Sequence, residues 1–293
     1  MDDERSPAVE AEPEQGFIRE LAQFFIIPSL IVLLCVAVFV MFGLISTESR
    51  GARDFLQQVR TLGGTDRWQA AFELSRAISA QPKLKVDDKL VSEIAQVIRG
   101  EGRDDPKVRK YLVIALENLD NAAAGPVLLE SLADDDAEVR LCAARALSVI
   151  DEVPGSVAPL AGLLSDDDPA IRKMAVFALG RTGDQAAVAV LQPKLEDPVE
   201  DVRWNSALAL AVLGNGSGVE VIAQMLDRSH LDAVEGITEE QKESALVNGV
   251  QAVYLLRDAG LVAKVRELSR NDPSLKVRGI ALKALESIER ANS

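Results

Sequence analysis

The chain repeats itself, and this narrows its fold more than any other feature. DPKVRKYLVIALENLD (105–120), DAEVRLCAARALSVID (136–151), DPAIRKMAVFALGRTGD (168–184), DVRWNSALALAVLG (201–214) and SLKVRGIALKALESI (274–288) are versions of one segment. Their arginines, Arg109, Arg140, Arg172, Arg203 and Arg278, fall 31, 32, 31 and 75 residues apart. A divergent copy, SALVNGVQAVYLLRDAG (244–260), carries Leu246 at the arginine position and divides the last step into 43 and 32. A degenerate first copy, DRWQAAFELSRAI (66–78), begins with Arg67, 42 residues before Arg109. Units of this length cannot bury their own apolar faces and are stable only when stacked on neighbours.

Inside each copy the pattern is helical. Six residues after the arginine register stands alanine in six of seven copies (Ala115, Ala146, Ala178, Ala209, Ala252 and Ala284), with Glu73 the exception. A large apolar residue follows: Leu74, Leu116, Leu147, Leu179, Leu210, Val253 or Leu285. Small beside large at one register lets neighbouring helices approach closely while the core is filled. Asp105-Pro106, Asp168-Pro169 and Asp272-Pro273 suit helix starts, with aspartate capping free amides and proline in the first turn. Gly180, Gly183, Gly214 and Gly260 fall near helix ends and are expected to form left-handed caps. Second apolar segments follow at 124–133, 155–164, 185–195 and 218–227, so each unit reads as a helical pair.

The pattern D-P-x-[VI]-R-x-x-A-x-x-A-L, a second helix and then D-D-D or D-P resembles the bacterial short HEAT repeat, a type also found in phycobilisome lyases. The resemblance covers 64–290. It implies an all-α fold, a right-handed α-solenoid of about seven helical pairs, whose function is to bind other proteins. Composition agrees: 48% of residues are apolar but only 4% aromatic, which suits close-packed helices better than sheets.

The net charge is −14, and without the first 45 residues 30 basic residues still face 39 acidic ones, or −9. That balance repels phosphate backbones, and no basic run offsets it, so nucleic acid is not an expected partner. Cys35 and Cys142 lie in unrelated settings and read as small buried hydrophobes.

Phe24 to Ile45, FFIIPSLIVLLCVAVFVMFGLI, carries no charge. Its length predicts a single transmembrane helix, after a disordered acidic tail (1–23) and before a linker (46–63). It is too long for an ordinary signal-peptide core. Arg50, Arg53, Arg60 and Arg67 follow the segment, against Arg5 and Arg19 before it. The positive-inside rule thus favours a bacterial inner-membrane protein with a cytoplasmic array, while a signal anchor would export it.

Most of the charged residues read as structural. The register arginines are expected to pair with acids such as Asp105, Asp136 and Asp168 and to stitch the stack. The triplets Asp134-Asp135-Asp136 and Asp166-Asp167-Asp168 read as turns and caps. Candidate partner-binding residues are Trp68 and Trp204, each one place after the arginine register, where other copies carry Lys110 or Lys173 and hence a wet surface. Packing on the next repeat is the competing role. The lengthening RSHLDAVEGITEEQK (228–242) adds the sole histidine, His230, and reads equally as binding loop or tolerated insertion; a second lengthening lies at 80–89. One histidine, no phosphate-binding glycine loop and no nucleophile elbow leave no catalytic, cofactor or metal site to assign. The expected function is a non-enzymatic membrane-anchored scaffold for another, membrane-associated protein, as in a transporter or envelope assembly. The alternative, from the lyase resemblance alone, is bilin-lyase-like chemistry or chromophore handling.

Overall fold

The computed structural model describes residues 27–46, 51–80, 87–100, 104–151 and 153–291. The described residues form sixteen α-helices and include no strand. Two units are compact by themselves, 1–51 and 52–293.

The first unit contributes helix α1 (Ile27–Ser46). Its side chains are described at 28–38 and 40, and all are exposed, Cys35 among them, against the expectation that this thiol is buried. Among the described residues no helix is long and apolar enough to cross a membrane. The expected single-pass inner-membrane placement through Phe24 to Ile45 is therefore corrected, and with it the cytoplasmic orientation. The acidic tail (1–23), Phe24 and most of the 80–89 lengthening lie outside the described residues.

The second unit is a stack. Its first-helix row comprises α3 (Gly64–Ser79), α5 (Pro106–Leu119), α7 (Ala137–Val149), α9 (Pro169–Arg181), α11 (Glu200–Val212), α14 (Glu239–Leu256) and α16 (Leu275–Ala291), each packed on the next. The second helices alternate with them: α4 (Asp88–Arg99), α6 (Gly125–Ser131), α8 (Val157–Gly162), α10 (Ala186–Leu191), α12 (Val219–Met225) and α15 (Ala259–Asn271). One further helix, α13 (Arg228–Ala233), lies in the 228–242 insertion.

The stretch expected as a linker contains α2 (Ala52–Thr61), which buries Ala52, Leu56 and Val59. It packs on α3 and α4. Apolar residues three and four apart make an amphipathic helix there, and its stripe needs a neighbour. The array thus begins on a second-row helix and ends on a first-row helix, seven of each.

Local chemistry sets the boundaries. Asp105, Asp136 and Asp168 accept hydrogen bonds from the amides of Lys107, Val139 and Ala170, and proline occupies the first turn of α5 and α9. Gly183 and Gly214 take φ of +67° and +72°, as expected of helix-ending glycines. Gly180 does not. It lies inside α9 against α11, where an added Cβ would sit 2.7 Å from the Ala209 Cβ. Nor does Gly260 end a helix: α14 closes earlier on Arg257, at φ +54°, because Asp258 already caps α15.

The alanine register is the floor of the stack, with Ala115, Ala146, Ala178, Ala209 and Ala252 all buried. Two apolar clusters result, one running from Ala52 to Leu213 and the other from Trp204 to Ile288.

Candidate partner-binding face

Paired charged side chains hold the stack together. Arg109 grips the Asp134 carboxylate through Nε and Nη2 at 2.7 and 2.8 Å, and Arg172 grips Asp197 at 3.0 Å through both. Between them Arg140 reaches Asp166 at 2.9 Å. In Arg140 and Arg172 the third nitrogen of the guanidinium turns back to its own repeat. Arg140 Nη1 donates to the Asp134 and Asp135 carbonyls, and Arg172 Nη1 to those of Asp166 and Asp167. Arg140 and Arg172 therefore each tie the loop before their own helix to the loop before the next one.

The gripping acids are Asp134, Asp166 and Asp197, which corrects the expected pairing with Asp105, Asp136 and Asp168. An N-cap carboxylate is already committed to its helix amides. The residue two places earlier is free to face the neighbouring arginine, and it also accepts the amide two residues on, as Asp197 does from Val199 at 3.0 Å. Burial pushes the Asp197 carboxyl up, but the bonds from Arg172 and the Val199 amide outweigh it and hold the group below the usual carboxylate range. Asp166 behaves alike: burial raises it, while Arg140 and the Asp168 amide bring it lower still.

Past Asp197 the ladder changes its source of arginine. Arg203 keeps the backward bond, Nη1 to the Asp197 carbonyl at 2.8 Å, but its ion pair is with Glu200 in its own first turn, at 2.8 Å. At the next register stands Leu246, fully buried. Arg228, in the insertion, supplies the missing grip and forks Asp272 at 2.8 and 3.0 Å. Arg278 then bonds back to the Asp272 carbonyl. The insertion is also knitted internally: Lys242 contacts Asp232 and Glu239 at 2.6 and 2.7 Å, and Thr238 and Gln241 form a capping box. It is a structural part of the stack. His230, the candidate within it, lies 3.1 Å from Glu200 through Nε2 and so links α13 to α11.

The two tryptophans differ. Trp204 is buried, 7% exposed, in the second apolar cluster, against the wet surface expected of its register. That cluster also contains Leu231 of the insertion, with Val234 and Ile237 packed against it. Its indole Nε1 has no hydrogen-bond partner. Trp68 is half-buried and stacks on Tyr111 at 6.1 Å, with the Lys107 ammonium 5.5 Å from its ring. Phe72 meets the same Tyr111 edge-on at 5.2 Å. This aromatic group joins α3 to α5.

Cys142 is buried, and burial pushes its thiol up and away from the reactive thiolate. Among the described residues no group of three His, Cys, Asp or Glu side chains is placed to hold a metal ion.

A set of apolar side chains remains that the stack does not use. On three consecutive first-row helices Phe177, Val212 and Leu255 are 48%, 57% and 45% exposed. Together with Leu208 they line a groove of about 270 Å³ across α9, α11 and α14. Gly180, Ala209 and Ala252 form its floor, so the close helix approach that needs Gly180 also makes room for the groove. Asn205, Asn248 and Gln251 bring amides to its wall, and Arg181 stands at one end. Arg181 Nε donates to the Ser148 carbonyl at 3.3 Å.

These lining residues recur at fixed register. Phe177, Leu208 and Gln251 stand five places after the arginine position, Arg181, Val212 and Leu255 nine places after it, and Asn205 and Asn248 two places after it. Sequence reasoning had weighed only the arginine, its next neighbour and the alanine-leucine pair. A signal was present on α11 alone, where Leu208 and Val212 stand four apart, out of phase with the buried stripe of the same helix.

A family profile for HEAT repeats matches residues 92–168 and 157–241, together 150 of the 293 residues. The chain belongs to the HEAT-repeat family. Solved structures agree on the fold of this HEAT-repeat protein. A crystal structure of an engineered protein superposes with a TM-score of 0.52 at 23% identity, covering 81% of this chain and 68% of that one. The complex of CpcE and CpcF of phycocyanin lyase from Nostoc sp. PCC7120 superposes with a TM-score of 0.51 at 19% identity, covering 81% of this chain and 94% of that one. At these identities the likeness shows the solenoid alone. No curated protein sequence matches the chain. Stacked repeats of this kind present a continuous surface suited to binding protein.

Proposed function

We propose that this HEAT-repeat protein is a non-enzymatic scaffold or adaptor that holds a partner protein on its first-helix row, at α9, α11 and α14. The observation that carries the reading is the exposure of Phe177, Val212 and Leu255 on adjacent helices of one row. Contiguous apolar surface rimmed by polar groups is the usual mark of a protein contact. The residues with the strongest charge pairing, from Arg109 to Arg278, are occupied in holding the stack and take no part. The likeness to the lyase complex contributes a fold and no residue-level argument for chromophore handling.

The test is site-specific photo-crosslinking in cells from position 212, with position 220 on α12 as the control on the other row. Glu220 is exposed, so both probes reach solvent. Position 212 should give a discrete adduct that position 220 does not. An adduct from 220 alone would move the function to the other row.

A further inference from the structure

We propose that the groove takes one extended segment of a partner protein that presents two large apolar side chains and, at the α9 end, a carboxylate. This rests on the reading of the first-helix row as the binding face and adds the chemistry of what binds there.

Three features of the lining lead to it. The apolar residues fall in two groups, Phe177 with Leu208 and Val212 with Leu255, and the small residues between them leave depth for a side chain at each. The amides of Asn248 and Gln251 are exposed on the wall, each with a donor and an acceptor to offer. Paired donors and acceptors suit the backbone of an extended chain, whose own groups have no partners. Asn205 is partly spent, since its amide donates to the Asp201 carbonyl at 2.7 Å.

Charge then orients the segment. Among the described lining residues Arg181 is the one charged side chain. It has no carboxylate partner among the described residues, whereas Arg99, Arg109, Arg140, Arg145, Arg172 and Arg228 all grip one. Its bond to the Ser148 carbonyl uses only Nε. Two further nitrogens are left to bond an acid in a fork. On a chain of net charge −14 an unmatched arginine beside an apolar hollow selects for a partner's carboxylate, because acids elsewhere on the surface repel one.

The probe is a phage-displayed library of random dodecapeptides, panned on the full chain and counted against Val212→Asp and Arg181→Glu variants, each first shown to melt with the parent. Sequences enriched on the parent should share two large apolar residues and an aspartate or glutamate at constant spacing. A synthetic peptide of that sequence should bind at least about tenfold more weakly to Val212→Asp. Arg181→Glu should weaken it by about tenfold or more, and replacing the peptide's acid with lysine should restore binding to that variant. Groove-dependent peptides without a shared acid, or an unchanged affinity in Arg181→Glu, would overturn the assigned chemistry while leaving the face intact. Enrichment indifferent to both substitutions would overturn the chemistry, and would count against the face only if position 212 also fails to crosslink.

Discussion

The stack is built in two ways along its length. From α5 to α11 the copies follow one another at 31 or 32 residues, and the register arginines of α5, α7 and α9 each grip the aspartate 25 or 26 residues ahead. From α11 to α14 the step lengthens to 43 residues, and the register residue of α14 is Leu246. Yet the grip is still made, by Arg228 on an aspartate 44 residues ahead. What the stack requires is a guanidinium at a place in space, with a carboxylate and a carbonyl in reach. The register is one way of supplying it, and the insertion is another.

If the two grips are equivalent, removing their acids should cost alike. Asp197 and Asp272 have side chains only 2% and 0% exposed, and each is forked by an arginine. Asp197→Ala and Asp272→Ala should each lower stability by about 3 kcal/mol, read as the shift in urea midpoint, because each breaks a forked ion pair whose carboxylate is buried. A cost at Asp272 under a third of that at Asp197 would mark the second grip as ornamental.

The regular part also depends on close approach. Gly180→Ala brings a Cβ to within 2.9 Å of the Ala209 Cα and 2.7 Å of its Cβ. Neither atom is the end of a flexible side chain, so the helices must part. A loss of about 1–3 kcal/mol is expected in the same assay. The same substitution should also disturb the groove, which shares that floor.

Acid should act on the regular part. Asp166 and Asp197 have folded pKa values below the ordinary aspartate value of about 3.9. A depressed folded pKa contributes stability that is full above the unfolded value and is lost as pH falls through the folded one. Urea midpoints should therefore hold from pH 7 down to about 4 and fall below it, and Asp166→Asn should flatten that fall.

The smallest effect is expected in the second cluster. Trp204→Phe removes an indole N–H that is buried without a partner. The volume lost and the unsatisfied donor removed oppose each other, and the net change should stay within about 1 kcal/mol.

Much of the array was readable because its period is encoded in residues that cannot easily be exchanged. Alanine at the contact, aspartate at the cap and arginine at the grip each answer a separate physical demand, so they recur together. Helix α2 was missed because it has no register arginine; its amphipathic stripe alone would have shown it. Arg228 was missed for the opposite reason. It does the work of the register from outside the register, and only the fold brings it to Asp272. The binding face was half visible. Trp68 and Trp204 stand at a register where other copies carry lysine, but one is stacked on Tyr111 and the other is buried. The groove residues are ordinary apolar types distinguished only by phase.

The equivalence of the two grips is tested most directly by a pair of double-mutant cycles, Arg172/Asp197 and Arg228/Asp272, measured by urea unfolding of alanine variants. Coupling of about 2 kcal/mol in both cycles is predicted, within the range for residues in direct contact. Strong coupling in the first cycle with additivity to within about 0.5 kcal/mol in the second would contradict it.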